Sequence, residues 1–256
     1  MYARQMDLAD MQSRLTAWLR GKMPHARNLS ISPLERSSGG LSNETFFFDM
    51  NWQEAGQSKS AKKVLRWQPK DFQVFPSYDL GMQFRVMECL QGTDVPVPKV
   101  NWLEENEEVL DSPFYVMDRI DGVIPCEVPP YHSYGIFSEA TPEQRAKMWW
   151  GSLEATTKVH KVDWKGADLS FLGIPSGGTG PVDKQLDYWG HYLDWIKEDP
   201  QESHPTLEAA LDWLKENRYA PEHVTLCWGD ARMPNTIYSP DFDVLGVLDW
   251  EMAYIG

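Results

Sequence analysis

Two polar clusters near the carboxyl end, separated by a short apolar stretch, restrict the fold of this 256-residue chain more tightly than any other feature. The first runs Trp228-Gly229-Asp230-Ala231-Arg232-Met233-Pro234-Asn235, and the second is Asp249-Trp250-Glu251. With Thr225-Leu226-Cys227-Trp228 as a strand, Asp230 falls on the turn beyond its end. A five-residue step then returns the Asn235 amide to the side of Asp230 within one loop. Thr236-Ile237-Tyr238 and Val244-Leu245-Gly246-Val247-Leu248 have the β-branched and apolar character of a hairpin, with Ser239-Pro240-Asp241 as its turn. Asp249 emerges from the second strand facing the loop that holds Asp230. The spacing therefore predicts Asp230, Asn235 and Asp249 around one point, where Asn235 and Asp249 offer hard oxygen ligands suited to magnesium.

Upstream, the pattern changes from strands to helices. Leu8, Met11, Leu15, Trp18 and Leu19 recur at helical steps and predict an amphipathic helix within residues 7–24. Residues 29–35, 45–52 and 63–67 read as short strands of an antiparallel sheet, and Phe114-Tyr115-Val116-Met117 as its last strand. Residues 79–90 read as a helix, stopped at Gly92. Thr141-Pro142-Glu143-Gln144 has the cap, the first-turn proline and the reach-back side chain of a helix start, and predicts a helix with Trp149, Leu153, Thr156 and His160 on its apolar face. His160 at the end of that helix is read as a packing and hydrogen-bonding residue, in preference to a catalytic base. Residues 182–198 and 206–217 read as two more helices, the second with Leu207, Leu211 and Leu214 along one face. Ser176-Gly177-Gly178-Thr179-Gly180 is followed by Pro181 and lacks the Gly-Lys-Ser or Gly-Lys-Thr ending of a phosphate loop, so it reads as a hinge or surface loop.

Composition narrows the class. Hydrophobic residues make up 42% and charged residues 24%, which suits a globular chain with a substantial core. No run of eighteen apolar residues and no signal-peptide core appear, so neither a membrane span nor export is expected, and a cytoplasmic location is. Three widely spaced cysteines, Cys89, Cys126 and Cys227, have no metal or redox spacing and read as buried free thiols. The formal charge of −14 argues against a nucleic-acid backbone binder. It is compatible with a cationic substrate, although an acidic surface also serves solubility.

Gly-Asp-x-x-x-x-Asn followed by Asp-Trp-Glu resembles the aminoglycoside phosphotransferase family of small-molecule kinases, in particular the branch related to kinase-like domains fused to acyl-CoA dehydrogenases. Ser37-Ser38-Gly39-Gly40-Leu41-Ser42-Asn43, Val64-Leu65-Arg66, Thr93-Asp94-Val95-Pro96-Val97-Pro98, Pro113-Phe114-Tyr115-Val116-Met117-Asp118 and Val159-His160-Lys161-Val162-Asp163 match in the same order. The resemblance implies an α+β, protein-kinase-like two-lobed fold: an antiparallel β N-lobe over residues 1–119 and a mainly helical C-lobe over 120–256. It implies ATP between the lobes, with adenine against Met117 and Asp118. The phosphates would lie beneath a hairpin turn at Ser38, Gly39 and Gly40, a run that reads equally well as an ordinary glycine turn. In such a site a carboxylate beside the attacking hydroxyl and oxygen ligands for magnesium perform the transfer. Asp230 would be the catalytic carboxylate that aligns and deprotonates the hydroxyl, Asn235 and Asp249 the metal ligands, and Arg66 the phosphate cation. The implied partner is a small-molecule hydroxyl substrate, with no nucleic acid and no membrane.

Three departures from the family pattern bear on activity. Arg66 and Gln83 stand where a strand lysine and a helix glutamate form an ion pair, so at best a hydrogen bond joins them. Lys62 and Lys63 are expected to face solvent. Trp228 replaces a histidine that supports the catalytic loop, and packing support from the indole is expected. Resembling kinases continue through several helices past the position of Gly256, which implies either a fragment or a shortened C-lobe. Glu251 reads either as a second metal or substrate contact or as a solvent-facing acid. Beside the kinase reading stands a second: a non-catalytic nucleotide-binding or interaction protein on the same fold.

Overall fold

The computed structural model describes residues 7–37, 44–68, 74–173, 178–197 and 202–256. Helix α1 (Leu8–Lys22) precedes strands β1 (Arg27–Ile31), β2 (Glu35–Arg36), β3 (Glu44–Glu54) and β4 (Gln57–Trp67). Helix α2 (Leu80–Leu90) and strands β5 (Val100–Glu104) and β6 (Phe114–Asp118) follow. The remainder is helical, with α3 (Ile136–Glu139), α4 (Pro142–His160), α5 (Gly180–Trp195) and α6 (Pro205–Glu216). It then returns to short strands β7 (Leu226–Cys227), β8 (Thr236–Tyr238), β9 (Val244–Val247) and β10 (Tyr254–Ile255).

The main sheet has the order β1-β3-β4-β6-β5, with β2 also on β3, and every pairing is antiparallel. Its two faces are set by strict alternation. Phe46, Phe48 and Met50 of β3, Leu65 of β4, and Phe114 and Val116 of β6 meet Met11, Leu15 and Leu19 of α1 on one side. Leu15 and Leu19 are fully buried, and each burial stabilises by about 2 kcal/mol. On the opposite side Val64, Tyr115 and Met117 pack with Leu80, Phe84, Met87 and Leu90 of α2. The same cluster continues into Ala155 and Val159 of α4 and into Leu226, Trp228, Val247, Trp250 and Ile255. That continuous core brings the face of β4 carrying Arg66 against the carboxyl-terminal loops.

Local signals explain the element ends. The Asp7 and Asp79 carboxylates cap α1 and α2. Thr141 and Gln144 form the expected reciprocal capping box at the start of α4. The β3–β4 hairpin is longer than its apolar segments predict, eleven residues on each side, because Ala55 and Gly56 both take positive φ and make a tight two-residue turn. Its outer half is polar, so alternation alone gave no signal there. The β8–β9 hairpin forms as expected. β10 was not anticipated; it pairs with β7 through Tyr254–Cys227 and Ile255–Leu226.

Four expectations are corrected. The buried stripe of α4 is Met148, Ala155 and Val159, one residue away from the expected one, while Trp149 and Leu153 are exposed. The cause is tertiary: β7 and β9 pack on that stripe. The His160 side chain is exposed, and it is the backbone carbonyl that accepts a hydrogen bond from the Thr225 hydroxyl. Leu207 and Leu214 of α6 are exposed as well. The three cysteines are free but only partly buried. Among the described residues no helix is long and apolar enough to cross a membrane.

Candidate active site

The loop after β7 is held by its own backbone and by its neighbours. Gly229 has φ +93°, and a Cβ there would lie 2.2 Å from the Met252 carbonyl oxygen, so only glycine fits between the two loops. The chain then turns so that the Asn235 amide donates from Nδ2 to the Asp230 carbonyl at 3.1 Å and to Asp230 Oδ2 at 2.8 Å. This is the five-residue return that the spacing predicted. Asn235 is 7% exposed, and its backbone carbonyl accepts from the Leu248 backbone N–H at 2.8 Å, which ties the first loop to the second.

Trp228 and Trp250 cement the same junction. Their rings stack 5.7 Å apart with an interplanar angle of 30°, and both are buried. The Trp228 indole N–H is shared between the carbonyls of Leu248, at 2.8 Å, and Asp249, at 3.1 Å. Packing support from this indole was expected; the structure adds a hydrogen bond directly onto the Asp249 backbone, which sits at φ +64°. An aspartate tolerates that region better than most residues do.

Charge is concentrated here. Burial pushes the Asp249 carboxyl above its ordinary value; Arg66 opposes the shift, Asp230 adds to it, Arg232 opposes it and Glu127 adds to it. Its Oδ1 is buried with no hydrogen-bond partner. Arg66 donates from Nη1 to the Thr45 hydroxyl at 2.9 Å, and its Nε–H is buried without a partner. Burial works against the Arg66 charge, but Tyr115, Asp249 and Glu251 together outweigh it and raise its pKa. Residue 66 of the sheet and residue 249 of the carboxyl-terminal hairpin therefore lie within electrostatic reach of each other.

Two residues that sequence reasoning left without a role complete the cluster. Arg232 donates from Nε to Asp230 Oδ2 at 2.8 Å, and its Nη1 pairs with Glu127 from the segment after β6. Arg232 lies two positions past Asp230, inside the run already singled out, so its proximity was legible. Glu127 is more than a hundred residues away in sequence and only the fold brings it in.

Of the other expected site residues, Met117 faces the α2 side of the sheet. Asp118 spends its backbone N–H on the Lys99 carbonyl, at 2.8 Å, and its carboxylate on Lys63. Ser38, Gly39 and Gly40 lie outside the described residues. Lys62 is exposed and pairs with Asp121 at 2.7 Å, as expected. Lys63 is not solvent-facing: it is 7% exposed, donates to Asn101 Oδ1 at 2.8 Å and lies over the Trp102 ring. Alternation turns it to the α1 side, where paired polar groups and an aromatic face make burial of the ammonium tolerable. Nor does Gln83 hold Arg66. It is 1% exposed, its amide nitrogen has no partner, and the neighbours of the guanidinium are Thr45, Tyr115, Asp249 and Glu251.

An antiparallel six-stranded sheet capped by helices, followed by an Asp–Asn loop and an Asp hairpin on one continuous core, defines a kinase-like phosphotransferase architecture. The chain belongs to the phosphotransferase enzyme family, whose model matches residues 34–256. It is 29% identical over 227 residues to "Probable acyl-CoA dehydrogenase IBR3" of Arabidopsis thaliana, covering 85% of this chain and 26% of that protein. It is 26% identical to "Acyl-CoA dehydrogenase family member 10" of Mus musculus, covering 97% of this chain and 21% of that protein. The chain thus spans about a quarter of the length of these relatives. Among solved structures, a "putative aminoglycoside phosphotransferase" from Ralstonia eutropha superposes with a TM-score of 0.64 at 27% identity, over 95% of this chain and 65% of that one. Aminoglycoside phosphotransferase APH(4)-Ia, solved with ADP and hygromycin B, gives 0.58 at 17% identity, over 94% of this chain and 72% of that one, which is a likeness of fold alone.

Proposed function

We propose that the protein transfers the γ-phosphoryl group of ATP, with magnesium, to a hydroxyl of a small molecule. The observation that carries this is a pair of buried, unpartnered polar atoms in one electrostatically coupled cluster: the Asp249 Oδ1 acceptor and the Arg66 Nε–H donor. An orphaned buried donor or acceptor costs about 1–3 kcal/mol, and a phosphate oxygen against the arginine and a divalent cation against the carboxylate would each remove such a cost. Among the described residues no group of three or more His, Cys, Asp or Glu side chains could hold a metal alone. An ion held here would therefore rest on Asp249, Asn235 and phosphate oxygens, as suits magnesium. Magnesium when bound would neutralise phosphate charge.

The remaining roles fall to the chain's own residues. Asp230, its carboxylate oriented by Asn235 and Arg232, accepts the hydroxyl proton of the acceptor late in transfer. Arg66 and Arg232 supply positive charge where the migrating group gathers negative charge. Met117 and Asp118 flank the adenine, and Ser38, Gly39 and Gly40 cover the phosphates with backbone N–H groups. The nucleotide lies between an N-lobe of residues 1–119 and a C-lobe of 120–256. The bound ADP in the APH(4)-Ia structure supports the nucleotide half of this reading.

The test is ATP turnover against a panel of hydroxyl-bearing metabolites, with product detected by mass spectrometry. Asp230→Asn should lower the rate by about a hundredfold or more. Unchanged turnover in that variant would remove Asp230 from the chemistry. Magnesium-dependent ATP binding with no phosphorylated product from wild type would instead favour the non-catalytic nucleotide-binding reading.

A further inference from the structure

Thr45, Arg66 and Tyr115 form one row across three neighbouring strands. Thr45 of β3 and Arg66 of β4 are direct cross-strand partners, and so are Arg66 and Tyr115 of β6. All three share the face that looks toward α2 and the carboxyl-terminal loops, as the burial of Phe47, Val64, Tyr115 and Met117 in that core shows. The Thr45 hydroxyl accepts from Arg66 Nη1 at 2.9 Å. Tyr115 flanks the same residue on the other side as its direct cross-strand neighbour. Tyr115 is itself fixed, being 2% exposed with its ring against Phe84 at 6.1 Å. Among the described residues the side-chain hydrogen bond of Arg66 goes to Thr45, and none joins it to Gln83 of α2.

We infer that Arg66 is positioned by the sheet itself, through the hydroxyls of Thr45 and Tyr115 on its two neighbouring strands, in place of a partner on helix α2. This rests on the reading of Arg66 as the cation that meets the nucleotide phosphates. A guanidinium has five N–H donors in a fixed fork, so the Thr45 acceptor at Nη1 and a second from Tyr115 would set its plane and leave Nε–H for a ligand. Ladder hydrogen bonds fix the spacing of the strands, whereas a helix-borne partner would tie the cation to the placement of the helix. The sheet-held arginine thus takes its orientation from strand partners, and α2 contributes only the apolar backing of Tyr115 through Phe84. Thr45 and Tyr115 are positioning residues: they act through Arg66 and touch no phosphate themselves.

Calorimetric titration of the purified chain with MgATP, and separately with adenosine, tests this. Tyr115→Phe and Thr45→Val should each weaken MgATP binding about tenfold, the scale of a hydrogen bond to a charged group, while adenosine binds as to wild type. Thr45→Ser, which keeps the hydroxyl, should restore MgATP affinity, and Gln83→Leu should leave it unchanged. The inference is overturned if both hydroxyl deletions bind MgATP as wild type does, or if adenosine affinity falls in step, since that would show general loosening. It is equally overturned if Gln83→Leu alone produces the loss. Wild type that shows no magnesium-dependent ATP binding would sink the underlying reading, and the inference with it.

Discussion

At the scale of single residues, the site is built from side chains of two kinds: those whose role follows from sequence spacing and those whose role depends on sheet register. Asp230 and Asn235 belong to the first kind, because a five-residue loop closes on itself and the amide bonds its own partner. Tyr115 and Thr45 belong to the second, because nothing local marks them until the strands are aligned on Arg66. Trp228 stands between. Its departure from the family pattern is visible in the sequence, but the shared indole hydrogen bond to the carbonyls of Leu248 and Asp249 appears only when the loops are folded together. Trp228→Phe retains a stacking ring beside Trp250 and removes that N–H. It should cost about 2 kcal/mol or more of stability in urea denaturation, through two carbonyls losing a donor and a smaller ring in a filled site. An unchanged midpoint would mean that the hydrogen bond contributes nothing to the junction.

At the scale of elements, helix α1 is held to the outer face of the sheet by more than its apolar stripe. The Trp18 indole donates to Glu104 of β5 at 2.6 Å, and the Lys22 ammonium lies 3.5 Å from the same carboxylate. Burial alone would raise the Glu104 pKa, but the Trp18 bond, the Asn106 backbone N–H and Lys22 outweigh it and hold it below the ordinary 4.5. An acid whose folded-state pKa is depressed stabilises the fold at pH values above its unfolded value. That contribution disappears as the pH falls through the lower folded-state value. Wild type should therefore exceed Glu104→Gln by about 1 kcal/mol at neutral pH, with the gap closing under acid conditions below 4.5. Urea denaturation across that range measures it, and a gap that is constant with pH would exclude the charge as its source. The one-residue shift of the α4 stripe carries a complementary lesson. Two adjacent helical stripes of similar hydrophobicity offer the sequence no means of choosing, and the packing of β7 and β9 decides.

At the scale of the molecule, the chain carries a formal charge of −14, and the site cluster itself combines Asp230, Asp249, Glu127 and Glu251 with Arg66 and Arg232. Self-repulsion of that size destabilises the compact state and is screened by salt. Raising the ionic strength from about 0.01 M to about 0.15 M shortens the screening length from about 30 Å to about 8 Å, and the Tm should rise. A falling Tm would mean that favourable ion pairs outweigh the repulsion. The succession of an N-terminal helix, an antiparallel sheet and later helices, the capped start of α4, the β8–β9 hairpin and the Asp–Asn loop were determined by sequence, because each rests on forces that act over a few residues. The burial of Lys63, the idle amide of Gln83, the recruitment of Glu127 and the row through Arg66 were decided by tertiary structure alone. Each of those depends on which strand lies beside which, and cross-strand neighbours can be tens of residues apart in sequence, with no periodicity to mark them.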